Sequence, residues 1–245
     1  MAVLNCRQNI QSIKRFGGYG DMFTAVIPVR AGSRRLKNKN IMPFGGKNLL
    51  TYKISQLKTV ELINSIVVSS DSDEMLQMAK DMGVKIHKRA NEYCDEKTQP
   101  FGAVVAHICE NVKGNDIIWA TCTSPLVEPS DYKRAIEKYK EVKNCGYDSL
   151  MSVEEVRRYM WNENGPINYK LGLGHVPSQE LPPLYRITDG ILIAARTDMI
   201  KWKYFHGIKP YKLIMDKYAS VDIDDIYDLE CAKAWFNIKQ NSHCT

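Results

Sequence analysis

The sequence predicts an α/β fold, a mainly parallel β-sheet with helices on both faces. Short runs rich in β-branched residues alternate with segments whose apolar residues recur at helical spacing. The helical segments are about 10 to 15 residues long, which suits right-handed crossovers between parallel strands. With 245 residues, of which 44% are apolar and 25% charged, the chain is long enough to bury the core of one large domain.

The individual elements follow from the local pattern. Strands are predicted where short apolar runs are bounded by polar residues or glycine, at residues 23–29, 65–70, 84–87, 117–122, 148–153 and 190–195. Helices are predicted where apolar residues share one face, at residues 49–60, 72–82, 100–112, 131–142 and 225–239. The helix at 72–82 has the clearest ends, because Asp71 or Ser72 can cap its start and Gly83 stops it.

Two stretches interrupt this alternation. Residues 1–21 are basic and show no clear period, so we predict an N-terminal extension. A transit peptide is the alternative, since no acid precedes Asp21. Residues 157–184 are rich in glycine and proline, and we interpret them as an excursion from a single domain that covers residues 22–245.

Composition argues against several classes of protein. The net charge of +6 is too small for a dedicated nucleic-acid-binding domain. The longest apolar runs, such as residues 191–195, have the length of a strand, so we expect no membrane-spanning helix. Seven cysteines without a C-x-x-C pair argue against a zinc site and a disulfide framework. We therefore predict a cytoplasmic protein that binds neither nucleic acid nor membrane.

A basic loop follows the first predicted strand. Residues 30–47 carry six lysines and arginines and no acid. In an open parallel sheet, ligands bind beyond the carboxyl ends of the strands, where this loop begins. Small residues at 31–33 let backbone N–H groups approach phosphate oxygens, while Arg30 and Lys39 neutralise charge. The loop predicts a site for a compact polyanion such as a nucleoside triphosphate; a solvated basic loop is the alternative.

A pair of acids near the end of the chain is a candidate metal site. On a strand, Asp222 and Asp224 would point to the same face, about 7 Å apart. Carboxylates that share Mg²⁺ with a triphosphate are common in displacement at phosphorus, because the ion offsets negative charge. The alternative is that these acids cap the helix that begins at Asp225.

Several motifs extend this pattern along the chain. Residues 27–40 read I-P-V-R-A-G-S-R-R-L-K-N-K-N. Later motifs are V-V-S-S-D-S-D at 67–73, an arginine at position 89, T-S-P-L at 123–126, L-P-P-L-Y-R at 181–186 and V-D-I-D at 221–224. In this order they resemble the sugar-acid cytidylyltransferases, whose best-known members make CMP-activated sialic acid. That family opens with I-P-A-R-x-G-S-K-x-[LI]-x-x-K-N, so Val29 and Arg34 are departures.

The resemblance implies a Rossmann-like fold of the nucleotide-diphospho-sugar transferase type and a Mg²⁺-dependent transfer of CMP from CTP to a 2-keto sugar acid, with release of pyrophosphate. It assigns the nucleotide and its triphosphate to Arg30, Ala31, Gly32, Ser33, Arg34, Lys39 and Asn40, and the cytosine base to Arg89. It assigns catalysis to Arg30, Lys39, Asp222 and Asp224, the last two as metal ligands. It places the acceptor near Thr121, Thr123, Ser124, Gln179, Tyr185 and Arg186.

Departures from the family pattern are concentrated on the acceptor side. Thr121 and Val127 stand where a glutamine and an arginine are common, and Ser178 precedes Gln179 where the family often has arginine. Residues 185–190 read Y-R-I-T-D-G in place of the commoner Y-R-x-N-G. The identity of the sugar acid therefore stays open. The alternatives are another nucleotide such as GTP, another acid acceptor, and a catalytically idle nucleotide-binding protein.

Two apolar clusters lie outside these motifs. The aromatic residues within 202–211 are interpreted as packing of a connecting segment rather than as a platform for base stacking. The excursion carries large apolar residues that need a partner surface: Tyr159, Met160, Trp161, Tyr169, Leu171 and Leu173. Members of the resembled family are homodimers that exchange this region, so we predict a homodimer; folding back onto the same chain is the alternative.

Overall fold

The computed structural model describes residues 22–33, 35–95 and 97–242. In chain order its strands are β1 (Phe23–Pro28), β2 (Pro43–Phe44), β3 (Lys47–Asn48), β4 (Ile63–Ser70), β5 (Lys85–Lys88), β6 (Asp116–Trp119), β7 (Ser149–Val156), β8 (Trp161–Asn162), β9 (Gly165–Pro166), β10 (Leu184–Ala195) and β11 (Pro210–Met215). Its helices are α1 (Leu49–Lys58), α2 (Asp73–Asp81), α3 (Phe101–Asn111), α4 (Pro129–Lys143), α5 (Arg196–Trp202) and α6 (Ile226–Ser242).

Within the described residues, the central sheet has seven strands in the order β11-β7-β10-β6-β1-β4-β5. The neighbours β6, β1, β4 and β5 are all parallel, and β11 is parallel to β7. Strand β10 is antiparallel to both of its neighbours. The predicted mainly parallel α/β fold is confirmed. Because the parallel strands run in one direction, their carboxyl ends meet at one edge of the sheet.

Helices cover both faces of this sheet, as predicted. Successive residues of a strand point to opposite faces, so Ile27 packs in one core layer and Val26 in the other. The layer around Ile27 includes buried residues of α1, α2, α4 and α6. The layer around Val26 includes buried residues of α3 and α5. The two layers hold the carboxyl ends of β1 and β6 in fixed positions.

Several boundaries differ from the sequence predictions. Strand β11 and helix α5 were not predicted, because β11 begins with a proline and α5 is too short to show a helical period. Strand β6 ends at Trp119, and residues 120–122 begin a loop instead of extending it. Strand β10 starts at Leu184 and has a register shift between Ile187 and Leu192, where the inserted residue of the Y-R-I-T-D-G segment lies.

The excursion is partly folded on itself. Tyr159 stacks on His175 with ring centroids 4.9 Å apart, and its hydroxyl donates to the Val176 carbonyl at 2.8 Å. Other apolar side chains of the excursion stay exposed, and Leu173 has no protection from solvent at all. The predicted extension at residues 1–21 lies outside the described residues. In the described part of the chain, no helix combines the length and apolarity that crossing a bilayer requires.

Candidate active site

A cleft of about 690 Å³ lies at the carboxyl ends of β1 and β6. One part is lined by the basic loop: Arg30, Ser33, Arg35, Lys39 and Asn40. An acidic part is lined by Asp189 and Asp224, and an aromatic part by Tyr93, Phe101, Trp119, Tyr204 and Phe205. Positive, negative and aromatic surfaces therefore meet at the edge of the sheet where ligands of open α/β folds bind.

The backbone of the basic loop is set by Gly32 and Asp71. Gly32 has a φ of 73°, in the left-handed region that favours glycine, and a side chain there would meet nothing within 4 Å. The Ala31 N–H donates to Asp71 Oδ1 at 2.9 Å. Of the two candidate caps for α2, Ser72 is the one used, because its hydroxyl accepts from the Met75 N–H at 3.3 Å. Asp71 is thereby free to hold the loop.

Two buried polar side chains brace the end of β1. Arg89 donates from Nη2 to the Val29 carbonyl at 2.6 Å and from Nε to Cys94 Sγ at 2.9 Å. Asn40 donates from Nδ2 to the Arg30 carbonyl at 3.1 Å. Arg89 and Asn40 also line the cleft, so the structure brings these two predicted nucleotide-site residues together with Arg30. Of the other predicted members, Ser33 and Lys39 also line the cleft, Ala31 and Gly32 do not, and Arg34 lies outside the described residues.

The acid pair is not on a strand, and the expectation of a strand geometry was wrong. Residues 221–224 cross the carboxyl edge of the sheet without a strand partner. The segment is held by the Ile223 N–H, which donates to the Thr123 carbonyl at 2.8 Å. Because Thr123 follows β6, this bond joins the acid pair to the loop that begins at residue 120.

Asp222 and Asp224 do not cap α6, because Asp225 and Asp228 accept the N–H groups at its start. Asp228 Oδ2 accepts from the Asp224 and Asp225 N–H groups at 2.9 and 3.1 Å, and Asp225 Oδ1 accepts from the Asp228 N–H. The Asp224 carboxylate instead pairs with Lys39 Nζ at 3.1 Å and Arg35 Nη2 at 2.9 Å. The Asp222 carboxylate accepts from Ser124 Oγ at 3.4 Å. Asp222 does not line the cleft, whereas Asp224 does.

Crowding of carboxylates shapes the electrostatics of the acidic part. Burial raises the pKa of Asp222, and the nearby Asp224 raises it further, while hydrogen bonds from Thr123 and Ser124 act in the opposite direction. Burial also raises the pKa of Asp189, with smaller contributions from Asp222 and Asp224. A cation placed among these carboxylates would relieve their repulsion.

The donor set fits a magnesium ion that is shared with a ligand. No cluster of three or more metal-ligating side chains occurs within residues 22–33, 35–95 and 97–242. Asp222 and Asp224 therefore do not form an all-protein cage. Mg²⁺ is usually bound by one or two carboxylates together with substrate phosphates and water, which is what this pair can offer.

Only part of the predicted acceptor site lies in this cleft. Thr121 and Thr123 line it, and Ser124 is buried directly behind it. Gln179 belongs to the excursion, and neither it nor Tyr185 lines the cleft. Arg186, which was also predicted at the acceptor site, does not line the cleft either.

Arg186 and Tyr185 have other contacts in this structure. Arg186 pairs with Glu154 at 2.8 Å and donates to the Ser220 carbonyl at 2.7 Å. Tyr185 lies beneath Lys212, whose Nζ is 5.4 Å from the ring centroid. Arg186 lies opposite Glu154 in the antiparallel pairing of β10 with β7, which accounts for their ion pair.

Sequence reasoning missed two features of the cleft. Asp189 has a φ of 53°, and the Thr121 hydroxyl donates to its carbonyl at 2.9 Å. The available signal was the T-D-G segment, because aspartate and asparagine tolerate the left-handed region. The second feature is an aromatic wall, in which Phe101 and Phe205 have ring centroids 5.4 Å apart. Phe205 does pack, as predicted, but the same cluster also lines the cleft.

The sequence around the cleft is similar to that of known proteins. A sequence-family model described as Cytidylyltransferase matches residues 24–167. The chain belongs to the cytidylyltransferase family. This confirms the family predicted from the loop motifs, and with it the nucleotidyltransferase class of enzyme.

Curated cytidylyltransferases align over most of the chain. A pseudaminic acid cytidylyltransferase of Campylobacter jejuni is 26% identical over 226 residues, which is 89% of this chain and 97% of that protein. An N-acylneuraminate cytidylyltransferase of Escherichia coli is 25% identical over 214 residues, which is 85% of this chain and 50% of that protein.

Solved structures of cytidylyltransferases share the fold. A CMP:2-keto-3-deoxy-manno-octonic acid synthetase complexed with CTP superposes with a TM-score of 0.67 at 14% identity, covering 89% of this chain and all of the other. A 4-diphosphocytidyl-2C-methyl-D-erythritol synthase from Anaerococcus prevotii gives a TM-score of 0.61 at 11% identity, covering 89% and 96%. These likenesses confirm the predicted Rossmann-like nucleotidyltransferase fold.

Proposed function

We propose that this cytidylyltransferase transfers CMP from CTP to a 2-keto sugar acid in a Mg²⁺-dependent reaction that releases pyrophosphate. The observation that carries the proposal is the contact between Lys39 and Asp224, which joins the basic loop to one member of the acid pair at the cleft. A triphosphate and a cation have complementary partners there. Relatives named for pseudaminic and N-acylneuraminic acids support a nonulosonic or related sugar acid as the acceptor.

The basic loop is proposed to bind the triphosphate. Arg30, Ser33 and Lys39 line the cleft with cationic and hydroxyl groups, and Gly32 keeps the adjoining backbone close to the strand end. Charge-assisted hydrogen bonds to phosphate are roughly twice as strong as neutral ones, so these donors also orient the nucleotide. The cytosine base is proposed to lie at the aromatic part, beside Arg89 and Tyr93.

Asp222 and Asp224 are proposed to hold Mg²⁺ against the triphosphate. When bound, the ion neutralises phosphate charge and polarises the α-phosphorus for attack. Asp224 is already paired with Lys39 and Arg35 in the chain alone. The triphosphate is expected to compete for both cations and so to release the Asp224 carboxylate for the metal.

In the proposed reaction, the anomeric hydroxyl oxygen of the acceptor forms a bond to the α-phosphorus of CTP. The bond from the α-phosphorus to the oxygen that bridges to the β-phosphate breaks, pyrophosphate leaves, and the hydroxyl proton passes to water. The chain contributes by orienting the reactants and by neutralising charge, which are the main sources of catalysis in phosphoryl transfer. Thr121 and Thr123 are proposed to contact the acceptor, because their hydroxyl-bearing side chains line the cleft at the end of β6.

The proposal is tested by measuring pyrophosphate release with CTP, Mg²⁺ and a panel of nonulosonic and octulosonic acids. Release that requires one of the acids, CTP and Mg²⁺ together is the expected result. ATP, GTP and UTP serve as matched nucleotides, and activity with one of these in place of CTP would overturn the choice of nucleotide. No release with any acid would overturn the choice of acceptor class.

A further inference from the structure

Lys53, in the middle of α1, is fully buried. Lysine is almost never removed from water without a partner, so its contacts need an explanation. Its Nζ donates to the Ser124 carbonyl at 2.9 Å and to the Val127 carbonyl at 3.4 Å, and lies 5.1 Å from the centroid of the Tyr132 ring. The basic loop and the acid pair do not use this amine.

The two carbonyls belong to the loop of residues 121–127, which follows β6 and forms part of the cleft. Gln56, one turn along α1 from Lys53, donates from Nε2 to a third carbonyl of this loop, that of Pro125, at 2.9 Å. The Lys53 and Gln56 side chains of α1 therefore bind the backbone of the 121–127 loop on the side that faces the core.

The opposite side of the same loop holds the acid pair. Ser124 Oγ lies 3.4 Å from Asp222 Oδ1 and 3.3 Å from the Thr188 carbonyl. The Thr123 carbonyl accepts from the Ile223 N–H at 2.8 Å. The loop thus connects Lys53 to Asp222 through a short chain of hydrogen bonds.

We propose that Lys53 is a positioning residue that holds the 121–127 loop so that Thr123 and Ser124 place the Asp222 carboxylate. The role rests on the proposed function, in which Asp222 is a metal ligand. An apolar residue at position 53 would remove a donor from both carbonyls and leave Ser124 only the longer bond from the Val127 N–H at 3.4 Å, whereas an amine has N–H donors for both. The Lys53 and Gln56 donors bind three carbonyls of one loop, and buried hydrogen bonds of this kind favour a single loop conformation, which is what a metal-binding carboxylate requires.

The first arm of the test does not depend on activity. Amide hydrogen exchange is compared between the full-length wild-type chain and Lys53→Met, which keeps the length of the side chain without its donors. Exchange at the Ile223 amide and within residues 121–127 is expected to rise about tenfold, with β1 and β4 unchanged. Lys58→Met is the matched control, since Lys58 is an exposed lysine of the same helix. Unchanged exchange in the loop of the Lys53 variant would overturn the proposal.

The second arm separates positioning from general stability. For Lys53→Met we expect kcat to fall about tenfold or more and the Mg²⁺ concentration for half-maximal rate to rise about fivefold, with the KM for CTP within about twofold of wild type. Loss of CTP affinity in step with a lower melting temperature would instead show a merely structural role and overturn the proposal.

A second variant keeps the test decisive if Lys53→Met does not fold. Gln56→Met removes the neighbouring donor to the loop, and it also removes a buried Oε1 that has no hydrogen-bond partner, so folding is expected to tolerate it. The same changes in exchange and in Mg²⁺ dependence are expected, at smaller size. If wild type is inactive with every sugar acid, the proposed function fails, and the exchange arm still decides whether Lys53 and Gln56 hold the loop.

Discussion

At the scale of single residues, the cleft pairs its charges before any ligand binds. Asp224 is neutralised by Lys39 and Arg35, both of which also line the cleft. Asp222 has no such cation within salt-bridge distance in the described part of the chain, and burial raises its pKa. The two aspartates therefore differ: Asp224 exchanges partners when a triphosphate enters, and Asp222 is held by hydroxyl groups.

Asp224→Asn is expected to lower the rate of pyrophosphate release about 100-fold while the chain stays folded, because the amide is a poorer ligand for Mg²⁺ and the side chain is only partly buried. A steady-state assay and a melting curve measure the two effects. Asp225→Asn is the matched control. Because Asp225 caps α6, this variant should lose about 1 kcal/mol of stability at most and keep the wild-type rate of pyrophosphate release. Equal rates for the two variants would refute the metal assignment.

Lys53 predicts a pH dependence of stability. Burial lowers its pKa from 10.5 to about 7, and Cys122, Asp131 and Tyr132 are the ionisable groups that face it. Between pH 7 and 10.5 the unfolded chain keeps this proton and the folded chain has released it, so stability rises with pH in that window. The free energy of unfolding of wild type relative to Lys53→Met should therefore increase between about pH 7 and 10.

Urea titrations at several pH values measure that difference. The corresponding difference between wild type and Lys58→Met should stay flat, because Lys58 is exposed in the folded chain. A flat difference for Lys53 as well would mean that the amine titrates at its ordinary pKa.

At the scale of elements, the cleft is built from loops that rigid strands hold at their carboxyl ends. The loop after β1 is pinned by Asp71 and Arg89, and the loop after β6 by Lys53 and Gln56. Asp71 and Arg89 directly follow β4 and β5, and Lys53 and Gln56 both belong to α1. Loops supported in this way can present functional groups with little reorganisation.

Gly32→Ala tests the backbone of the first loop. A side chain has room there, so only the left-handed φ of 73° opposes alanine, and the expected loss of stability is about 1 to 2 kcal/mol. Gly46→Ala is a close control, since Gly46 has the same φ and the same open surroundings but lies in the turn between β2 and β3, whereas Gly32 adjoins Ser33, which lines the cleft. Both variants should lose similar stability in denaturant, and only Gly32→Ala should weaken CTP binding in a calorimeter. Equal CTP affinity in the two variants would show that the loop does not bind the nucleotide.

At the scale of the whole molecule, the excursion is the least integrated part. Its tyrosines pack on each other, yet the solvent exposures of Trp161, Leu171 and Leu173, relative to a fully exposed residue, are 57%, 64% and 109%. Gln179, predicted at the acceptor site, lies in the excursion and does not reach the cleft of its own chain. Both observations are consistent with the predicted homodimer, in which a neighbouring chain would receive this region.

Light scattering at micromolar concentration should report a particle of twice the 28.0 kDa chain mass. Introducing charge at Leu173 by Leu173→Glu should shift the chain toward monomer, since burying an unpaired charge opposes association. Ile208→Glu is the control, because Ile208 is equally exposed outside the excursion. A 28.0 kDa particle for wild type would contradict the dimer.

Local sequence was sufficient for most of the strands and helices of the central sheet and for the basic part of the cleft, though not for β11 and α5. The strand and helix periods, the small residues at 31–33 and the basic charges are all properties of neighbouring residues, and they predicted the sheet and the basic loop correctly. The family motifs predicted the enzyme class for the same reason, because each motif is a short, contiguous segment.

Contacts between distant segments were decided only by the tertiary structure. Lys39 and Asp224 are 185 residues apart, and no local pattern states that they pair. The pairing of β10 with β7 brought Arg186 next to Glu154. Residues 221–224 form no strand and are bound to the 121–127 loop by the Ile223 N–H. In the sequence, Lys53 is only one polar position in a helical pattern. Its role becomes visible when the fold brings the Ser124 and Val127 carbonyls to its amine. Such outcomes depend on which groups the packed sheet brings within hydrogen-bonding distance, and that information is spread over the whole chain.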